Sequence, residues 1–122
     1  MVIDTTIFIE HLRKSNRANS LLSQLPLGTP IYVSVITVYE LWAGATDISK
    51  KQDVELILSS VNVLSIDENV AEVAARIYQQ IGKGNFIGTA DTLIAATALY
   101  HNLPVKTLNI KHFTRVEGLS VV

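Results

Sequence analysis

Cysteine is absent from this chain, which excludes a disulfide scaffold, a thiolate metal site and a cysteine nucleophile. Proline occurs at three positions and glycine at six, so few backbone breaks are imposed. There are no internal repeats, linkers or low-complexity tracts. Charge of either sign is scarce. Charged residues make up 17% of the chain, and 10 Lys+Arg stand against 11 Asp+Glu for a net −1. A protein that coats a duplex is ordinarily basic, so any contact with nucleic acid has to be local. No apolar run reaches the roughly 18 residues of a membrane span, and the N-terminus lacks the basic-then-apolar pattern of a signal peptide. A soluble, cytoplasmic protein with no membrane partner is expected. What is present is 48% hydrophobic residue in a chain of 122, enough for one folded domain over residues 1–122. The low charge also points to some surface being covered by a partner.

Short apolar segments alternate with helical periodicities. Strands are predicted at Met1–Ile3, Ile31–Val33, Val61–Ile66 and Val105–Leu108, with a last short one at Leu119–Val122. The first helix runs from Thr5 or Thr6, as cap, to about Arg13. A second, short helix opens at Asn16 or Asn19 and ends before Pro26. Others cover Val35–Thr46 behind Ser34, Lys50–Ser60, the stretch from Asp67 through Ile81, and the stretch from Gly88 or Thr89 to about His101. The alternation implies an α/β fold with a central, mostly parallel sheet of about five short strands. Ligands of such sheets sit at the carboxyl ends of the strands.

Four polar residues stand against apolar segments at element ends or on apolar helix faces: Asp4 in Val-Ile-Asp-Thr-Thr, Glu40 in Val-Tyr-Glu-Leu, Asp91 in Ala-Asp-Thr-Leu-Ile, and Asn109 in Lys-Thr-Leu-Asn. Asp4 and Asn109 follow predicted strands, and Asp91 falls in the first turn of a helix, where the dipole favours negative charge. Glu40 shares a helix face with Ile36 and Ala43/Gly44, which directs it toward packed small residues. Helix capping is the plain alternative for Asp4 and Asp91, and solvent exposure for Glu40. Taken together, carboxylates in apolar surroundings need a compensating cation. A hard divalent ion, Mg²⁺ or Mn²⁺, suits oxygen ligands of this kind and directs attention to metal-assisted phosphodiester hydrolysis.

Other features carry less. Asp67 reads as a helix cap, and Glu10, Asp47, Asp53, Glu55, Glu68, Glu72 and Glu117 as residues of solvated faces. His11, His101 and His112 lack metal-ligand spacing, though His112 can approach the site through Asn109. Gly82-Lys-Gly-Asn-Phe-Ile-Gly88 follows a helix and lacks the Gly-Lys-Ser/Thr ending, so it is no nucleotide fingerprint. It reads as a mobile loop beside Asp91 whose Lys83 can meet a phosphate. Arg13, Lys14 and Arg17 form the densest basic cluster, either a solvated face or phosphate contacts next to Asp4. Tyr39 and Trp42 are assigned to core or dimer packing.

The segments Asp4-Thr-Thr-Ile7, Ser34-Val-Ile-Thr-Val-Tyr-Glu40-Leu41, Asp91-Thr-Leu-Ile-Ala-Ala-Thr-Ala98, Thr107-Leu-Asn109-Ile-Lys-His-Phe113 and Val116-Glu-Gly-Leu119 occur in an order that resembles a PIN-domain ribonuclease, specifically a VapC-type toxin of a toxin–antitoxin pair. The resemblance covers nearly the whole chain. It implies a three-layer α/β/α PIN-like domain and Mg²⁺- or Mn²⁺-dependent endonucleolytic cleavage of RNA by a metal-activated water. It also implies a homodimer and inhibition by a VapB-like antitoxin. Asp4, Glu40 and Asp91 would bind the metal, Asn109 would hold the fourth position, and Thr6 and Thr107 would support the acids. Asn109 departs from the aspartate of many relatives, which leaves the number of metals open, and the strand before Asp4 is short. Two other readings remain open here: a PIN-like binding module weakened in catalysis by Asn109, and an aspartyl phosphatase with Asp4 as nucleophile, although Thr6 stands where such enzymes usually carry a second acid.

Overall fold

A computed structural model describes residues 1–122. Its strands are β1 (Val2–Ile3), β2 (Tyr32–Ser34), β3 (Asn62–Leu64) and β4 (Val105–Lys106), and its helices α1 (Thr5–Arg13), α2 (Val35–Gly44), α3 (Ile48–Ser59), α4 (Glu68–Ile81), α5 (Thr89–Tyr100) and α6 (Ile110–Phe113). The strands form one sheet in the order β3-β2-β1-β4, with every pairing parallel. Parallel neighbours cannot be joined by a tight hairpin, so each connection passes through helices that cover the sheet.

Successive side chains of a strand point to opposite faces, and β1 shows this directly. Val2 joins a core with Val70, Ala74 and Ile77 of α4 and Ile94, Ala95 and Ala98 of α5. Ile3, next along the chain, joins a second core with Ile7 and Phe8 of α1, Leu41 of α2 and Val54 and Ile57 of α3. The sheet is thus the middle of three layers, as expected. Alanines on α5 let it approach the sheet and α4 closely, which is why the helix is buried around most of its girth.

The central sheet has four strands rather than about five. The segment Leu119–Val122 contributes one isolated bridge, Val121 to Val105, because only Val105 N–H and Val122 N–H bond across it. Gly118, at φ +82°, turns the chain immediately before this bridge. The helix expected from Asn16 or Asn19 to Pro26 is a single 3₁₀ turn, Arg17–Asn19, capped by Asn16. Beyond it Ser20 Oγ accepts from Ser23 N–H at 3.1 Å as a helix cap would, but the turn it opens, with Gln24 N–H on the Ser20 carbonyl at 3.1 Å, stops before Pro26. α3 begins earlier than expected because Asp47, assigned to a solvated face, caps it through Lys50 N–H at 2.8 Å. Ser34 and Asp67 cap α2 and α4 as expected. At α1 the cap position belongs to Asp4, not to Thr5 or Thr6.

Candidate active site

Asp4 joins β1 directly to α1 and is only 1% exposed. An aspartate in the cap position ordinarily accepts from the first-turn amides, but this side chain makes no such bond. Its Oδ2 instead accepts from Thr6 Oγ1 and from Thr107 Oγ1, both at 2.7 Å. Burial pushes the Asp4 carboxyl above its ordinary range, and the negative charge of Asp91 pushes the same way. The Thr6 and Thr107 hydroxyls oppose that rise by hydrogen bonding to the ionised form. Thr6 and Thr107, from α1 and from just beyond β4, therefore both donate to Asp4.

Asp91 lies in the first turn of α5. Its Oδ2 accepts from His112 Nδ1 at 2.8 Å and from Asn109 Nδ2 at 3.4 Å. Asn109 holds the cap position of α6, and its backbone N–H donates to Thr107 Oγ1 at 2.9 Å. Thr107 thereby ties the surroundings of the two acids together. Both carboxylates follow one pattern: Oδ2 is held by two protein donors, and Oδ1 stays outside these side-chain bonds.

Glu40 approaches from α2. Its Oε1 accepts from Thr5 Oγ1 at 2.7 Å, and the same hydroxyl lies 3.0 Å from buried Thr37 Oγ1. The expectation that Glu40 faces packed small residues fails, since Ala43 and Gly44 are exposed and nothing crowds Gly44. Glu40 is instead half-buried at a groove between α1, α2 and α3, lined also by Ile9, Leu12, Arg13, Leu41 and Lys50. Of the basic residues, Arg13 is exposed on this groove. Lys14 turns to Glu10 at 3.7 Å, and Arg17 makes a two-pronged pair with Asp53 at 3.1 and 3.0 Å that holds Asp53 below its ordinary range. Lys83 is exposed on the 3₁₀ turn Lys83–Asn85 that precedes α5, and no contact joins it to the acids.

The structure therefore brings Asp4, Asp91 and Asn109 together through Thr107 and His112, and brings Glu40 to the same end of α1 through Thr5. No three His, Cys, Asp or Glu side chains converge closely enough to cage a metal ion unaided. A Mg²⁺-type ion does not require such a cage, because it keeps several waters and is commonly held by one or two carboxylates. Two mutually repelling carboxylates, each with an oxygen outside the side-chain bonds, fit a cation of that kind. Thr5, expected only as a helix cap, and Thr37 lie in the segments that carry the resemblance, and their link to Glu40 is visible only in the folded chain. His112, expected near Asn109, meets Asp91 itself, and its position three residues after Asn109 was the available signal.

Fold and site define an α/β/α sandwich with carboxylates gathered at the carboxyl edge of its parallel sheet. The PIN domain profile matches residues 1–119, and the chain belongs to the PIN domain family. The chain is 30% identical to Ribonuclease VapC1 of Methanocaldococcus jannaschii over 99% of its own length and 85% of that protein. Among solved structures, VapBC-1 of nontypeable Haemophilus influenzae superposes with a TM-score of 0.83 at 29% identity, covering 99% of this chain and 95% of that one. A toxin–antitoxin complex from Klebsiella pneumoniae gives 0.77 at 29%, covering 99% and 94%.

Proposed function

We propose that this protein is a divalent-metal-dependent endoribonuclease and the toxin of a type II toxin–antitoxin pair, restrained by a VapB-like antitoxin. One observation carries the reading: Asp4 and Asp91 come from elements far apart in the sequence, and each has Oδ2 clamped by protein donors and Oδ1 left to a ligand. The kinship with a ribonuclease and with toxin–antitoxin complexes supports the substrate class and the partner.

In this reading Asp4, Asp91 and Glu40 hold Mg²⁺ or Mn²⁺, which when bound supplies charge neutralisation at the phosphate and a more acidic water. The chain's own groups do the rest. Thr6 and Thr107 hold Asp4, and Thr5 holds Glu40 at the groove. Asn109 spends its amide nitrogen on Asp91, so its carbonyl oxygen is the atom that orients a water. Arg13 and Lys83, both exposed, offer charge to RNA phosphates, and Lys14 contributes by leaving Glu10. The groove beside Glu40 accommodates an antitoxin segment. Val35, Tyr39 and Trp42, exposed along one face of α2, supply a homodimer contact.

The test is incubation of the purified protein with a panel of RNAs with and without Mg²⁺ or Mn²⁺. Internal cleavage should require the ion and fall by about a hundredfold or more in Asp91→Asn, the scale of losing one electrostatic partner of a transition state. Metal-dependent cleavage that persists unchanged in Asp91→Asn would overturn the site. An inert wild type that gains cleavage in Asn109→Asp would favour a binding module instead.

A further inference from the structure

Resting on the metal-site reading above, we propose that His112 is a positioning residue: its Nδ1–H fixes the Asp91 carboxylate in the orientation that receives the divalent ion. A carboxylate only accepts hydrogen bonds, so the nitrogen 2.8 Å from Asp91 Oδ2 carries the hydrogen. That selects one tautomer of the neutral ring, with Nδ1 protonated and Nε2 free. The Asp91 side chain is 17% exposed and has lost most of its hydration, whereas the imidazole is 41% exposed. The remaining protein donor to this oxygen, Asn109 Nδ2, stands at 3.4 Å, at the far limit of a hydrogen bond. His112 is therefore the short, well-formed restraint on Asp91. Without it only the long Asn109 contact restrains the side chain about χ1 and χ2, and Oδ1 loses its fixed direction.

His112 and Asn109 sit three residues apart at the start of the one-turn helix α6, so both donors arrive from the same side. Asp4 is treated in the same way by the hydroxyls of Thr6 and Thr107. Each acid thus has its own pair of donors, and His112 belongs to the pair that holds Asp91. A purely mechanical alternative exists, in which the His112–Asp91 bond serves to dock α6 on α5. The two roles differ in what they move: docking affects the stability of the metal-free chain, and positioning affects ion affinity.

Mn²⁺ binding measured calorimetrically on the full chain separates them, with His112→Ala and His112→Asn as the variants. The Asn amide nitrogen lies the same number of bonds from Cα as Nδ1 and can restore the donor. Loss of a donor that orients a metal ligand typically weakens binding about 10–100-fold. We expect a loss of that size in His112→Ala and recovery of most of it in His112→Asn. Nitrogen NMR of the metal-free wild type should show the neutral His112 ring protonated on Nδ1. Wild-type Mn²⁺ affinity in a folded His112→Ala, with only a lower melting temperature, would overturn positioning in favour of docking. Equal losses in both variants, or a neutral ring protonated on Nε2, would also overturn it. A wild type that binds no Mn²⁺ would defeat the metal-site reading itself, a different failure.

Discussion

Asp4 occupies a helix cap position without capping, and its carboxylate is buried against two hydroxyls and feels the negative charge of Asp91. That arrangement suits a cation and burdens the metal-free chain. Its folded pKa lies above the unfolded value, so between the two values the folded state holds the extra proton. Stability therefore falls as pH rises through that window, and the deficit is complete once pH exceeds the folded value. In Asp4→Asn the amide oxygen can keep both threonine bonds and the charge repelled by Asp91 is gone. With chelator present, Asp4→Asn should melt above wild type at neutral pH, and the gap should close as pH drops below the folded value of Asp4. Thermal melts across pH check this, and a variant that melts lower at neutral pH would contradict it. The acids themselves were legible in the sequence because carboxylates at apolar junctions are costly. The partners of Glu40 were not, because Thr5 reaches it across 35 residues, a separation no local pattern encodes.

Elements with a long periodic stripe and a cap were the legible ones. In α4 the residues Val70, Ala74 and Ile77 repeat at helical spacing, and Asp67 Oδ1 accepts from Val70 N–H at 3.0 Å. Asp67→Ala should cost about 1 kcal/mol, a fall in Tm of roughly 3–5 °C for a chain of this size. Calorimetry or circular dichroism reads this directly, and cleavage of RNA by the folded variant should stay at the wild-type level. The opposite case is the stretch after Asn16, where Ser20 and Ser23 bond to each other and to the backbone, and propensity alone misleads. Strands of two or three residues carry too little alternation to set their ends, so the sheet's order follows from topology rather than from pattern. α6 is a single turn and gave no periodic signal, although it carries His112.

At the scale of the whole molecule, two cores flank one sheet, and α2 leaves Val35, Tyr39 and Trp42 outside both, with Tyr39 70% exposed. Of the core or dimer packing expected for Tyr39 and Trp42, the core half fails in the single chain, and the homodimer contact proposed above is what the stripe is tested for. Light scattering should find a dimer in the wild type and a monomer in the double variant Tyr39→Glu with Trp42→Glu. A dimer that survives both charges would place the interface elsewhere. The bond between Thr107 and Asp4 has one more consequence. It spans 103 residues, and β4 is the strand beside β1. Helices and local turns can form as a nascent chain leaves the ribosome, but this pairing must wait for the slowest loop closure in the molecule. An unfinished chain that ends before β4 lacks the Thr107 hydroxyl on Asp4, and a fragment cut between α1 and α5 carries one of the two acids without the other. The capacity to damage RNA thus arises last in folding, and it is the first thing lost when the chain is broken.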